Sequence, residues 1–362
     1  VKILQIVSGK EINGAMVHVD LLSRMLLQRG HEIQLLHKLN SWIALKLQDA
    51  GIFQRVSTMQ RIPFGELLRV ARWVREEGFD VMHTHMSRAH FFGVLLSRLT
   101  GVPVVATAHA SHWQPHWRFN DLVIANSEST RRYQARYNRV PENRLVTIPC
   151  FIDWATFSTT SPESRNILRD RLRLSDDQPL IGVVGAVTPR KGQRELIAAL
   201  PDLIKRFPDI RIVFVGHFKR SDKYARQLRT HLLKQKLAGR IIWAGQQPNV
   251  NQWLAACDAC VVPSLKEPLG LCALEAMAAG IPVAASAVGG LVEFVITEQT
   301  GLLFNPKQPA DISATVARIL TDAPLRERIV PSAKQMVAEQ FSPDRLTDRI
   351  EAALRSVVSS PK

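Results

Sequence analysis

Glu267 and Glu275 stand eight residues apart with Gly270 between them, in the segment 261–275, which carries the densest chemical signal of the chain. An apolar run ends at Pro263, a loop carries Glu267-Pro268-Leu269-Gly270, and a helical pattern begins with Glu275 in its first turns. In a doubly wound sheet, ligands bind beyond the carboxyl ends of the strands, where helix N-termini offer free N–H groups to phosphate. A carboxylate repels phosphate, so two of them facing such a crevice suit hydroxyl groups, as sugars and riboses supply. Taken singly, Glu267 would be a solvated loop residue and Glu275 an acid favoured near a helix N-terminus. Their spacing around Gly270 favours the ligand reading.

Such a site needs strands and helices in alternation, and the chain supplies that pattern twice. In the first half, apolar runs at 3–7, 32–36, 81–83, 104–108 and 122–125 read as strands, with helices such as 16–29 and 63–77 between them. Apolar periodicity lapses from 158 to 178. A second round follows, with strands near 180–184, 210–215, 241–243, 259–262, 282–284 and 301–304 and helices near 193–207, 222–237, 250–257 and 272–279. The fold class is therefore α/β, with domains expected at 1–165 and 166–341. Leu346, Ile350, Leu354 and Val357 recur at helical spacing in the tail. A helix over 342–362 must bury that face, and the first domain is a candidate surface.

The pair Glu267-x7-Glu275, the run Glu-Ala-Met-Ala-Ala-Gly-Ile-Pro-Val from Glu275, and Gly289-Gly290-Leu291-Val292-Glu293 together resemble the donor-site signature of glycosyltransferase family 4. The resemblance spans nearly the whole chain. It implies the GT-B architecture: two Rossmann-like doubly wound domains facing a cleft, with a C-terminal helix crossing back to the first. It also implies a retaining enzyme that uses a nucleotide-diphosphate sugar.

Residue by residue, the resemblance places Lys191, between the first strand and helix of the second domain, on the donor diphosphate. The arginine usual in the family falls at Ala186, a departure, and the neighbouring Arg190 is the substitute candidate. The glycine-rich loop after the first strand matches in part, with Gly14 alone where a Gly-Gly pair is common. His109, after the strand 104–108, stands where a family histidine contacts the transferred sugar. The catalytic candidates are thus His109, Lys191 and Glu267. Donor binding is expected from Gly14, Arg190, Lys191, Glu267, Gly270, Leu271, Cys272 and Glu275, with Glu275 on the ribose. No metal or other cofactor is implied.

Other constellations are weaker. His109, His112 and His116 lack an accompanying Cys or acid at metal-ligand spacing, and with Trp113 and Trp117 they suit acceptor stacking or ordinary packing better. His83-x-His85 fits the family and fits buried, hydrogen-bonded histidines equally well. Cys257-x-x-Cys260 lacks a second pair and reads as buried thiols.

Composition bounds these readings. At 362 residues, 46% hydrophobic and 22% charged, the chain has material for about two cores. Four cysteines point to a reducing compartment, and no run supplies the ~18 uncharged apolar residues of a membrane span. The first seven residues read as a buried strand, not as a signal peptide. The protein is expected in the cytoplasm, with peripheral contact at the inner membrane as an option.

A net charge of +15 invites anionic partners. Arg131, Arg132, Arg136, Arg139 and Arg144 gather around Tyr133 and Tyr137, and 205–240 holds 11 basic residues against Asp209 and Asp222. Solvated faces are the default, an anionic lipid surface comes next, and nucleic acid last, since no binding module precedes them.

The sequence reads as a retaining hexosyltransferase using a UDP- or GDP-sugar and a glycan or lipid-linked acceptor, such as a lipopolysaccharide core or another envelope glycan. Both glutamates lie in one half, unlike the flanking carboxylates of hydrolases, and no protein nucleophile is assigned. Rival readings are an epimerase or phosphorylase of the same fold, or a non-enzymatic nucleotide or nucleic-acid binder.

Overall fold

The computed structural model describes residues 1–60, 64–159, 162–219 and 221–359. It divides into two compact units, Val1–Ile152 with Phe341–Lys362, and Asp153–Gln340.

The first unit carries strands β1 (Lys2–Val7), β2 (Glu32–His37), β3 (Phe53–Val56), β4 (Val81–His85), β5 (Val104–Ala108), β6 (Leu122–Ala125) and β7 (Leu145–Thr147). They form one sheet in the order β3-β2-β1-β4-β5-β6-β7, and every neighbouring pair is parallel. Its helices are α1 (Gly14–Gln28), α2 (Trp42–Lys46), α3 (Gly65–Glu77), α4 (Ser87–Thr100) and α5 (Glu128–Asn138). Parallel strands covered on both faces need continuous apolar runs, and β1 has Ile3, Leu4, Ile6 and Val7 wholly buried. Asn13 caps α1 by accepting from Met16 N at 3.2 Å, and Met16, Val19, Leu22 and Leu26 turn its apolar face inward.

The second unit carries β8 (Leu180–Val184), β9 (Arg211–Val215), β10 (Ile241–Gly245), β11 (Ala259–Val262), β12 (Val283–Ser286) and β13 (Leu302–Phe304), in the order β10-β9-β8-β11-β12-β13 and again parallel. Its helices are α6 (Trp154–Ser158), α7 (Pro162–Arg171), α8 (Gln193–Arg206), α9 (Lys223–Lys234), α10 (Val250–Ala255), α11 (Leu271–Ala278), α12 (Pro309–Thr321) and α13 (Ala323–Gln340). The tail helix α14 (Pro343–Val358) buries Leu346, Ile350 and Leu354 and packs on α1, β4 and β5 of the first unit.

One expectation changes. The break between units falls after Ile152, not after residue 165, because α7 occupies the stretch where periodicity lapsed and packs on α10. Polar bonds hold it there: Arg165 donates to Asp258 Oδ1 at 2.7 Å, and Arg169, 1% exposed, to Ala256 O at 3.0 Å. These charged residues hide the helix from an apolar count. The expected helix start at Pro63 and the last three tail residues lie outside the described residues. Among those described, no helix is long and apolar enough to cross a membrane.

Candidate functional site

Residues leaving β8 and β11, neighbours in the second sheet, build one cluster. Gly192 ends the turn after β8 with φ +69°, and a Cβ there would lie 1.7 Å from Pro263 O. Only glycine permits that approach, which presses the two loops together. Leu265 N then donates to Arg190 O at 2.8 Å. Lys191 Nζ reaches Glu267 Oε2 at 2.7 Å, and Ser264 Oγ donates to the same oxygen at 2.8 Å. Arg190 donates to Lys266 O at 2.9 Å and lies 3.5 Å from Glu267 Oε1. Across the loop, Gly290 N donates to Glu267 O at 3.0 Å.

Electrostatics follow from that packing. Burial opposes the Glu267 charge, but Lys191, Arg190 and the hydrogen bonds outweigh it and hold the carboxyl below its ordinary range. Burial likewise opposes the Lys191 charge, and the Glu267 carboxylate, by its charge and its hydrogen bond, outweighs it, so the ammonium stays charged. Glu275, one helix turn into α11, is lifted to about 7 by burial, partly offset by Lys191. Burial pushes the Cys272 thiol up to about 11.

Gly270 precedes α11 with φ +105°, and no side chain caps the helix. The N–H groups of Leu271 and Cys272 at its start are therefore available to a ligand. Arg190, Lys191, Glu267, Gly270, Leu271, Cys272 and Glu275 thus belong to one neighbourhood. Two cations and helix N–H groups can hold phosphate oxygens, while the carboxylates can accept from hydroxyls.

His109 and Gly14 belong to the first unit. Gly14 is the first residue of α1, not part of the preceding loop, because Asn13 is the cap. His109 Nε2 lies 3.0 Å from His85 Nδ1, and His85 Nε2 lies 2.9 Å from Gln5 Oε1. The Gln5 oxygen only accepts, so His85 carries its proton on Nε2 and accepts at Nδ1 from His109 Nε2–H. His109 Nδ1 is left to accept, with the Cys150 sulfur 3.6 Å away. Burial lowers His109 to about 4, so the ring is neutral at pH 7. Burial and the neighbouring His109 lower His83 to about 3, and its Nε2 lies 2.7 Å from Thr107 Oγ1.

The aromatic loop resolves into packing and one exposed ring. Trp117 is buried against His90, ring centres 4.2 Å apart, and His116 packs on Phe91, whereas Trp113 is 66% exposed. Cys257 and Cys260 are free, buried thiols. Among the described residues no group of three or more His, Cys, Asp or Glu could hold a metal ion.

Sequence reasoning missed Ser264, Gln5 and the Cys150 contact. Ser264 had a signal, three residues before Glu267 in one loop. Gln5 had none, because its partner is 80 residues away.

Two family models match the chain: Glycosyltransferase Family 4 over residues 12–155 and Glycosyl transferases group 1 over 164–336. An uncharacterized glycosyltransferase of Methanocaldococcus jannaschii is 27% identical, over 92% of this chain and 92% of that protein. The glycogen synthase of Mycobacterium tuberculosis is 35% identical over 72% of this chain and 65% of its own length. The crystal structure of Anabaena HepE in complex with UDP and glucose superposes with a TM-score of 0.89 at 23% identity, covering 98% of this chain and 99% of that one. The architecture is that of GT-B glycosyltransferases.

Proposed function

Because the chain is a glycosyltransferase of family 4, we propose that it moves a hexose, with retention, from a UDP- or GDP-sugar to a glycan or lipid-linked acceptor of the cell envelope, such as a lipopolysaccharide core. The observation that carries this reading is the buried Lys191–Glu267 pair beside Arg190 and the uncapped start of α11. HepE, of the same architecture, is described in complex with UDP and glucose, which favours a nucleotide-sugar donor.

In this mechanism Lys191, Arg190 and the N–H groups of residues 270–272 stabilise the departing diphosphate, where negative charge develops. An ammonium has three N–H donors, so Lys191 keeps Glu267 while bonding phosphate. Glu275 accepts from the ribose and Glu267 from the sugar hydroxyls. His109, neutral at pH 7, supports the oxocarbenium-like sugar as an acceptor through Nδ1, whose protein contact is the weak one to sulfur. Substitution proceeds on the front face, with a departing phosphate oxygen assisting deprotonation of the acceptor. No cofactor is required.

Arg132, Arg136, Arg139 and Arg144 are exposed, which supports a cytoplasmic protein resting on an anionic membrane face. The test is a panel of UDP-, GDP- and ADP-sugars assayed for nucleotide release with and without envelope lipid extracts. Acceptor-dependent release from one donor is expected. Failure of every nucleotide to bind would overturn the reading, and release without transfer would turn it toward another chemistry of the fold.

A further inference from the structure

β2, β1 and β4 are adjacent and parallel, so the residues leaving their carboxyl ends share a rim about 10 Å wide. Three cations leave there: Lys10 after β1, Lys38 directly after β2, and Arg88 in the first turn of α4. Backbone contacts weld these loops together. Ser41 N donates to Lys38 O at 3.1 Å, Ser41 Oγ to Gly9 O at 2.7 Å, and Trp42 N to Lys10 O at 2.9 Å. A Cβ on Gly9 would lie 2.6 Å from Met86 Sδ, so the loop before α4 lies against the loop carrying Lys10.

Among the described residues none of the three cations carries an ion pair. Glu11, exposed beside Lys10, is the acid of that loop; three cations against one acid leave a net +2. Burial and then the charges of Arg88 and Lys10 lower the pKa of Lys38, as expected where repulsion is unrelieved. α4 adds to the positive field. Its first turn holds no acid, no side chain caps it, and its backbone bonding begins with His90 N to Met86 O at 3.0 Å, which leaves the earlier N–H groups open.

We propose that Lys10, Lys38, Arg88 and the start of α4 form a phosphate-binding site of the first unit, and that the acceptor is a phosphate-bearing glycan or lipid. A phosphate ester carries about −1.5 to −2 at pH 7, which matches the net charge of the rim. Arg88 supplies a planar fork for two of its oxygens. Calling the ligand an acceptor rests on the transferase reading; the site itself does not.

The experiment is calorimetric titration of the full chain with inorganic pyrophosphate while excess UDP occupies the donor site. The expected result is a pyrophosphate site that weakens at least tenfold in the Lys38→Gln/Arg88→Gln double variant, with UDP affinity unchanged. Pyrophosphate that fails to bind beside UDP, or binds the double variant as well as wild type, overturns the site. If UDP itself does not bind, the donor reading has failed, and the comparison of wild type with the double variant still decides the phosphate site. Thermal melts check that both proteins are equally folded. Soluble glucose 6-phosphate and phosphatidylcholine vesicles with and without phosphatidic acid form two further arms, and the arm weakened by the substitutions names the source of the phosphate.

Discussion

Lys191 Nζ stands 2.7 Å from Glu267 Oε2, with the side chains only 15% and 8% exposed. Removing one partner of such a pair leaves an uncompensated buried charge, which costs far more than the pair contributes. Lys191→Met should therefore lower unfolding stability by about 3 kcal/mol at pH 7 in a urea titration. Glu267 is held below its ordinary 4.5, so its contribution is present above that pH and lost as pH falls further. The penalty should shrink toward pH 4, where the stranded carboxyl takes a proton. UDP affinity should fall at least tenfold, and an unchanged affinity would remove Lys191 from the diphosphate.

Glu275 has the opposite sign. Burial lifts it from 4.5 to about 7, so its neutral form favours the fold. That contribution is complete below about pH 4.5 and disappears as pH rises through about 7. Relative to Glu275→Gln, the wild type should lose on the order of 3 kcal/mol across this window. Nucleotide binding should run the other way, since the ionised carboxylate is the better acceptor for ribose. A UDP affinity that is equally flat in pH for wild type and variant would refute that assignment.

The histidines of the first unit predict acid sensitivity. Burial lowers His18, His83, His85, His90 and His109, with His83 near 3 and His109 near 4 against an ordinary 6.5. A depressed histidine contributes stability above 6.5 that is lost as pH falls through its folded value. The unit should unfold steeply between pH 6.5 and 4, reported by the fluorescence of Trp117 as its contact with His90 is lost. Gln5→Leu removes the acceptor that fixes His85, so nitrogen NMR should show His109 passing from one tautomer to a mixture. A single His109 tautomer in that variant would rule out the relay.

What the sequence made legible divides along physical lines. β5, β6, β8 and β11 are interior strands, and their apolar runs, broken only by Thr107 in β5 and Gly182 in β8, marked their limits. β3 and β7 sit at sheet edges, where Phe53 and Val56 are more than half exposed and Leu145–Thr147 is too short for a pattern. The residue types of the site were readable from Glu267, Glu275 and Lys191. Their pairing was not, because Lys191 meets Glu267 across 76 residues through the register of two strands and the approach at Gly192. The Gln5–His85–His109 chain escaped for the same reason, since β1, β4 and β5 must first lie side by side.

Gly289 gives a backbone test of the Glu267 loop. Its φ is +57°, and an added Cβ would lie 1.9 Å from Glu267 O. Gly289→Ala should displace the loop that seats Glu267 and lower UDP-sugar turnover by more than tenfold. The left-handed conformation alone costs about 1–2 kcal/mol. Full turnover with unchanged thermal stability would show that the loop tolerates the shift.

Arg169 separates structure from chemistry. It is 1% exposed and donates to Ala256 O at 3.0 Å and Gln178 O at 2.6 Å, with Asp258 Oδ2 at 3.4 Å. These bonds tie α7 to the rest of the second unit, so Arg169→Met should strip several buried oxygens of their donor and cost about 3–5 kcal/mol. Arg169 has no bond to Glu267 or Lys191, so UDP should bind the folded fraction of the variant with wild-type affinity. Calorimetry below the variant's melting temperature makes the comparison. A loss of UDP affinity in fully folded protein would mean that α7 bears on the donor site, whereas a stability loss alone assigns Arg169 to holding α7 in place.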